Sequence, residues 1–124
     1  MSTITIATLT PAGELSTAIA GDSNLLPILQ SACDGYVQAI DLTPTMTMWC
    51  NEEGKLNGSE WNECATAIWH AIYGPSDTVF GTVVFTGGAD EDGETQGITV
   101  EDITRLQRVA DAYKAAMAAG FAGV

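Results

Sequence analysis

The stretch TVFGTVVFT, residues 78–86, constrains the fold of this chain more than any other segment. Its apolar residues occupy both sets of alternating positions, with Val83 and Phe85 in one set and Val84 in the other. A half-buried strand alternates apolar and polar residues, whereas a strand that is apolar on both faces is typical of the interior of a sheet. We therefore predict a central strand here, and Gly81 within it predicts a bulge or a close backbone approach.

Four further strands are predicted, and they pair as two hairpins. Residues 3–9, TITIATL, alternate isoleucine with threonine, and the turn TPAGE returns the chain as LSTAI, residues 15–19. YVQAIDL, residues 36–42, and TMTMWC, residues 45–50, are separated only by a Thr-Pro dipeptide, which is short enough for the second hairpin.

Two helices are predicted before the central strand. The first takes Asn24 as its N-cap and ends at Gly35. Ser59 caps the second, whose buried stripe follows the three-four spacing of a helix and which ends near Gly74. The residues of this stripe are Trp61, Cys64, Ala65, Ile68 and Ile72.

An acidic loop, residues 87–98, precedes a third helix at about residues 100–119, for which Thr99 is the predicted N-cap with Asp102 in an acidic variant of the capping box. Four acids fall at positions one, three, five and twelve of a calcium-loop pattern: Asp90, Asp92, Glu94 and Glu101. Thr95 stands at position six, where an EF-hand loop needs glycine, so we interpret the loop as a solvated acidic linker.

Length and composition favour one domain over residues 1–124. The chain has 124 residues and is 46% apolar, enough for a core without disulfide or metal staples, and it shows no internal repeat. We predict an α+β fold, a single compact domain with a mostly antiparallel or mixed sheet of about four or five strands packed against about two or three helices.

The net charge limits the kinds of molecule that the chain can bind. Sixteen acidic residues face four basic ones, for a formal net charge of −12. Such a surface repels nucleic-acid phosphates and anionic membranes, so we expect neither direct nucleic-acid binding nor membrane binding. Basic partners are attracted instead.

The cysteines favour a cytoplasmic protein. Cys33, Cys50 and Cys64 are an odd number without close pairing, and no signal-peptide pattern precedes the first predicted strand, so we expect reduced and mostly buried thiols. Cys64 and His70 lie six residues apart, on different faces of the predicted helix, which does not suit a nucleophile and its base. The cysteine and histidine spacing also differs from zinc-site patterns, so we predict no catalytic residue, no metal and no cofactor.

The best candidate for a binding site is MWCNEEGKLNG, residues 48–58, a loop between a strand and a helix. Tryptophans flank it and offer a partner-binding platform, since tryptophan dominates interface hot spots. Core tryptophans around a solvated turn are the alternative. The candidate binding residues are Trp49, Asn51, Glu52, Glu53, Lys55, Asn57 and Trp61.

Three segments also carry a resemblance. LQSACDGYVQAID, CNEEGKLNG and VFGTVVFTGGADEDGE, in that order, resemble the domain-of-unknown-function family 3846 of small bacterial and phage proteins. The resemblance covers residues 25 to about 105, and NEEGKLNG is its most specific part. ACDGY stands where the family pattern has paired glycines, and SEW follows NEEGKLNG where the pattern often has Leu-Pro-Pro. The resemblance implies a phage, plasmid or actinobacterial source and brings no activity.

Three functions remain open at this point. The first is a non-catalytic protein that binds a host or defence factor through the loop, in the host cytoplasm if the chain is phage-encoded. The second is a protein that sequesters a small nucleotide-derived ligand, for which a homo-oligomer would bring the few basic residues together. The third is an acidic mimic of nucleic acid.

Overall fold

The computed structural model describes residues 3–21, 24–53, 60–74 and 78–120 of the chain. The fold is α+β, as predicted, with five strands and three helices in the described ranges. In chain order the elements are β1 (Thr3–Leu9), β2 (Leu15–Gly21), α1 (Leu25–Cys33), β3 (Val37–Thr43), β4 (Met46–Asn51), α2 (Glu63–Tyr73), β5 (Val83–Thr86) and α3 (Val100–Ala118).

The strands form one antiparallel sheet in the order β2-β1-β5-β4-β3. This order confirms the two predicted hairpins and the central position of β5. Val83 and Phe85 enter a large core beneath α2 and α3, whereas Val84 enters a smaller core beneath α1. The segment is apolar at both sets of alternating positions because helices cover both faces of the sheet.

β5 is shorter than the predicted strand. Gly81 has a φ of +82°, a conformation that favours glycine, and its N–H donates to the carbonyl of Glu60 at 2.6 Å. Phe80 pairs instead with Trp61 in an isolated antiparallel bridge. The residues before β5 thus align with the segment that leads into α2.

The predicted start of α2 is wrong. Ser59 lies outside the described residues, and the helix begins at Glu63 with Asn62 as its cap, so Trp61 precedes the helix instead of lying in its first turn. The Asn62 side-chain oxygen accepts from the N–H of Ala65 at 3.0 Å. Asparagine is among the best N-cap residues, and here it takes the position because its amide also bonds to the sheet.

The other helix ends agree more closely with the sequence. The Thr99 hydroxyl accepts from the N–H of Asp102 at 3.1 Å and α3 ends at Ala118, which confirms the predicted cap and length. Asn24 is the N-cap of α1 but makes no side-chain cap hydrogen bond. Asp34, with a φ of +61°, takes the left-handed position after α1, and the N–H of Gly35 donates to Gln30 at 3.0 Å.

The acidic loop is a hydrogen-bonded turn and not a plain linker. One oxygen of the Asp90 carboxylate accepts from the N–H groups of Asp92 and Glu94, both at 2.9 Å, and the other accepts from the amide of Gln96 at 3.0 Å. A Cβ on Gly88 would lie 2.2 Å from the Pro44 carbonyl oxygen, so glycine there allows the loop to approach the β3–β4 turn.

None of the helices in the described part of the chain combines the length and the apolar composition that a membrane span requires.

We predict that Asn62→Ala lowers the free energy of unfolding by about 3 kcal/mol, because it removes a helix cap and leaves the buried carbonyl of Leu9 and the partly buried carbonyl of Gly81 without their donor. Urea unfolding of the purified protein measures this loss. Asn24→Ala is the matched control, since that cap makes no side-chain hydrogen bond, and we expect it to cost less than about 0.5 kcal/mol. Equal losses in the two variants would contradict the role given to Asn62.

Candidate functional site

The structure describes only part of the candidate loop. Lys55 and Asn57 lie outside the described residues. Glu52 and Glu53 are exposed at the end of β4, and the N–H of Glu52 donates to the carbonyl of Tyr36 at 2.9 Å. Tyr36 is itself 73% exposed, so the entrance of the loop is open to solvent.

Asn51 has a structural role. It is buried, and its side-chain amide donates to the carbonyls of Cys33 at 2.9 Å and Asp34 at 3.1 Å. Its side-chain oxygen accepts from the N–H of Glu53 at 2.6 Å. The carbonyls at the end of a helix lack hydrogen-bond donors within the helix, and the amide of Asn51 supplies these donors for α1. Both amide hydrogens are thereby used inside the protein.

The tryptophans do not form one platform. The Trp49 indole N–H donates to the hydroxyl of Thr86 at 2.9 Å, and its ring packs against the smaller core beneath α1. Trp69 packs against the large core on the opposite face of the sheet. Core packing therefore accounts for these two residues, and the candidate Trp49 is not a surface aromatic.

Trp61 differs from the other two tryptophans because it is 43% exposed. Its neighbours in the chain are the exposed Glu60 and the fully buried Asn62. Backbone hydrogen bonds fix this segment, because Glu60 accepts from the N–H of Gly81 and Asn62 donates to the carbonyl of Val79 at 2.8 Å. The ring is thus held at the surface by a constrained backbone.

Two carboxylates and a tyrosine of α3 complete this surface. The pKa of Tyr113 is raised by burial first, and then by electrostatic interactions with Glu63, Cys64 and Glu60. Tyr113 packs against the large core, to which Cys64 of α2 belongs. We call the set Glu60, Trp61, Glu63 and Tyr113 the acidic aromatic patch.

The chemistry of the patch suits a cation. A carboxylate attracts an arginine or lysine side chain, and the face of an indole ring stabilises the same group by a cation–π contact of about 0.5–1 kcal/mol at an exposed site. Of the patch residues, only Trp61 was predicted as a candidate from the sequence; Glu60, Glu63 and Tyr113 were not. The two glutamates could have been found because they flank Trp61 in the sequence, whereas Tyr113 is 50 or more residues away and only the fold brings it here.

The thiols are poor nucleophiles. Burial raises the pKa of Cys64 to about 11, and burial together with Cys50 raises the pKa of Cys33 to about 12. Both side chains are therefore protonated near neutral pH, whereas reactive cysteines have a lowered pKa. All three cysteines are buried, which confirms that part of the prediction.

No group of three or more His, Cys, Asp and Glu side chains is arranged to hold a metal within the part of the chain that the structure describes. The basic residues of α3 serve mainly as partners of acids. Arg105 pairs with the buried Asp102 at 3.1 Å, and Lys114 pairs with Glu14 at 3.3 Å. Arg105 and Arg108 border a shallow cavity of about 290 Å³, but Glu101 lines it too and would repel an anion.

Comparison with known proteins gives one match. The model of a family described as Domain of unknown function (DUF3846) matches residues 4–111. No curated protein and no solved structure matches the chain.

We predict that Glu63→Gln lowers the pKa of Tyr113, because removal of a neighbouring negative charge makes the tyrosinate less unfavourable. Ultraviolet titration in a Tyr36→Phe, Tyr73→Phe background isolates this phenol, since the chain has three tyrosines. Glu101→Gln is the matched control. Glu101 lies on α3, as Tyr113 does, but it does not raise the pKa of Tyr113, so loss of its charge should leave the titration unchanged. An unchanged titration in Glu63→Gln would remove Tyr113 from the patch.

Proposed function

The chain belongs to the DUF3846 family, and from that premise we propose that it is a small, acidic, non-catalytic protein that binds a basic surface of another protein. The acidic aromatic patch is the proposed contact. The observation that carries the proposal is the exposure of Trp61 beside Glu60 and Glu63 on a backbone fixed by hydrogen bonds.

Rigid presentation of Trp61 supports a binding role. A large ring that is already ordered loses little conformational entropy when a partner covers it, so more of the contact energy is retained as affinity. Tryptophan and tyrosine are also enriched at interface hot spots, and the patch contains one of each. The backbone hydrogen bonds of Glu60 and Asn62 fix the main chain that carries the ring before any partner binds.

The net charge supports a basic partner. A formal charge of −12 attracts a positive surface over roughly a Debye length and so speeds association at low ionic strength. Within the patch, Glu60 and Glu63 add local negative charge. We therefore infer that arginine and lysine side chains of the partner meet Trp61.

The absence of catalysis is part of the proposal. The raised pKa values of Cys33 and Cys64 support it, because neither thiol supplies a thiolate near neutral pH. Arg105 already has a carboxylate partner in the buried Asp102, which supports a structural role for that pair.

We further propose the setting in which the protein acts. Three buried cysteines, an odd number, suit the reducing cytoplasm. The likeness to phage and plasmid proteins suggests that a mobile element encodes the chain and that the partner is a host or defence protein. The loop residues Glu52, Glu53, Lys55 and Asn57 stay candidates for a wider contact, since they come shortly before Glu60 and Trp61 in the sequence.

Affinity capture from a nuclease-treated bacterial lysate tests the proposed contact. We expect the wild-type protein to enrich one basic protein, and we expect Trp61→Ala to reduce that enrichment at least about tenfold, because the central aromatic contact is lost. Quantitative mass spectrometry measures the enrichment. Tyr36→Ala is the matched control, since it removes another exposed aromatic ring, at the loop entrance, outside the patch.

Capture that is equal for Trp61→Ala and the wild type would contradict the proposed surface. It would favour recognition by carboxylates alone, as in a nucleic-acid mimic. A partner retained by Trp61→Ala but lost on Tyr36→Ala would move the contact to the loop entrance.

A further inference from the structure

The edge strand β2 is open in the described structure. It pairs with β1 over all seven residues, from Leu15 opposite Leu9 to Gly21 opposite Thr3, and no described segment pairs with its outer side. Four consecutive side chains, Ser16 to Ile19, are exposed, and Ile19 is 67% exposed. A strand of this kind offers unpaired N–H and C=O groups to another strand.

The register shows which backbone groups point outward. The N–H of Thr10 donates to the carbonyl of Glu14, so these two residues form a hydrogen-bonded pair at the end of the β1–β2 ladder. Hydrogen-bonded and non-hydrogen-bonded pairs alternate along an antiparallel ladder. The even-numbered residues of β2 therefore bond to β1, and the N–H and C=O groups of Leu15, Thr17, Ile19 and Gly21 face outward.

The opposite edge of the sheet, β3, is protected against pairing with a further strand. β3 carries the charge of Asp41 and a register irregularity between Asp41 and Thr43. The hydroxyl of Tyr73 also donates to the carbonyl of Asp41. Charge, bulges and covering groups are the usual means by which proteins block edge pairing. β2, with the sequence LSTAIAG, has no charged residue, no proline and an unbroken register.

We propose that a second copy of this chain pairs with β2, antiparallel and centred on Ala18. In this register Thr17 faces Ile19 of the other copy and Leu15 faces Gly21, so all four outward-facing residues of each strand are used. Four residue pairs with two hydrogen bonds each give about eight bonds in all. The inference is independent of the proposed function.

The side chains of β2 are self-complementary about Ala18. The β-branched residues Thr17 and Ile19 pair across the interface on the face that carries α2 and α3. Two-fold symmetry makes this pair occur twice, so the exposed isoleucine of each copy is covered. On the face that carries α1, the small residues Ser16 and Ala20 oppose each other. No large side chain therefore meets another of its kind.

Charge favours this surface over others for contact between two copies. Each chain carries a net charge of −12, so most surface pairs repel, but β2 is uncharged and the Glu14 carboxylate before it is paired with Lys114 at 3.3 Å. A seven-residue strand is about 23 Å long and buries less than the roughly 800 Å² per partner of a standard interface. We therefore expect a dissociation constant on the order of 10 µM.

Sedimentation equilibrium of the full chain tests the proposal. Wild type should change from monomer to dimer as its concentration rises through the micromolar range, and Ile19→Lys should raise the dissociation constant at least about tenfold. Ala39→Lys adds the same charge at an exposed residue of the protected edge β3 and should not weaken the dimer. Thr17→Pro removes an outward N–H while sparing the bonds to β1, and it should abolish the dimer.

Circular dichroism and the melting temperature confirm that each variant is folded. Added salt should strengthen the dimer, because it screens the repulsion between two acidic chains. A chain that is monomeric at every concentration would overturn the proposal, and so would a dimer that Ile19→Lys and Thr17→Pro leave intact. A dimer weakened by salt would also overturn it, since it would rest on opposite charges.

Discussion

The hydrogen bonds of one buried residue, Asn62, join three parts of the fold. Its side-chain amide donates to the carbonyl of Leu9 at 3.1 Å and to that of Gly81 at 2.9 Å, and its side-chain oxygen caps α2 at Ala65. Its carbonyl accepts from the hydroxyl of Thr66, which in turn accepts from the N–H of Val79. The end of β1, the approach to β5 and the start of α2 are therefore fixed relative to each other. This arrangement leaves the preceding ring, Trp61, at the surface.

Coverage of the sheet on both faces directs recognition to its ends and edges. α1 packs on one face of the sheet and α2 and α3 on the other, so the described helices cover the middle of both faces. At one end the backbone around Asn62 presents the acidic aromatic patch. Of the two edges, β3 is blocked by charge and by Tyr73, whereas β2 is uncharged. The patch and β2 therefore differ in chemistry, one suited to cations and one to an uncharged strand.

Sequence pattern predicted the sheet well because each strand depends on local alternation. The central place of β5, both hairpins and the Thr99 cap followed from residues that are close in the chain. The start of α2 did not, because the preference of Asn62 for the cap depends on carbonyls of β1 and of the segment before β5. In the candidate site, too, some features follow from local sequence and others depend on distant contacts. Trp61 could be found from the sequence, but the structural use of Asn51 and Trp49 depends on contacts with α1 and Thr86.

The central claim is that Trp61 is the tryptophan that meets a basic partner. Fluorine NMR of the protein labelled with 5-fluorotryptophan resolves the three tryptophans, and single Trp→Phe variants assign their signals. An arginine-rich peptide serves as a probe of the proposed chemistry. We expect the Trp61 signal to shift on titration while those of Trp49 and Trp69 stay in place. A shift confined to Trp49 or Trp69, or no shift at any peptide concentration, would contradict it.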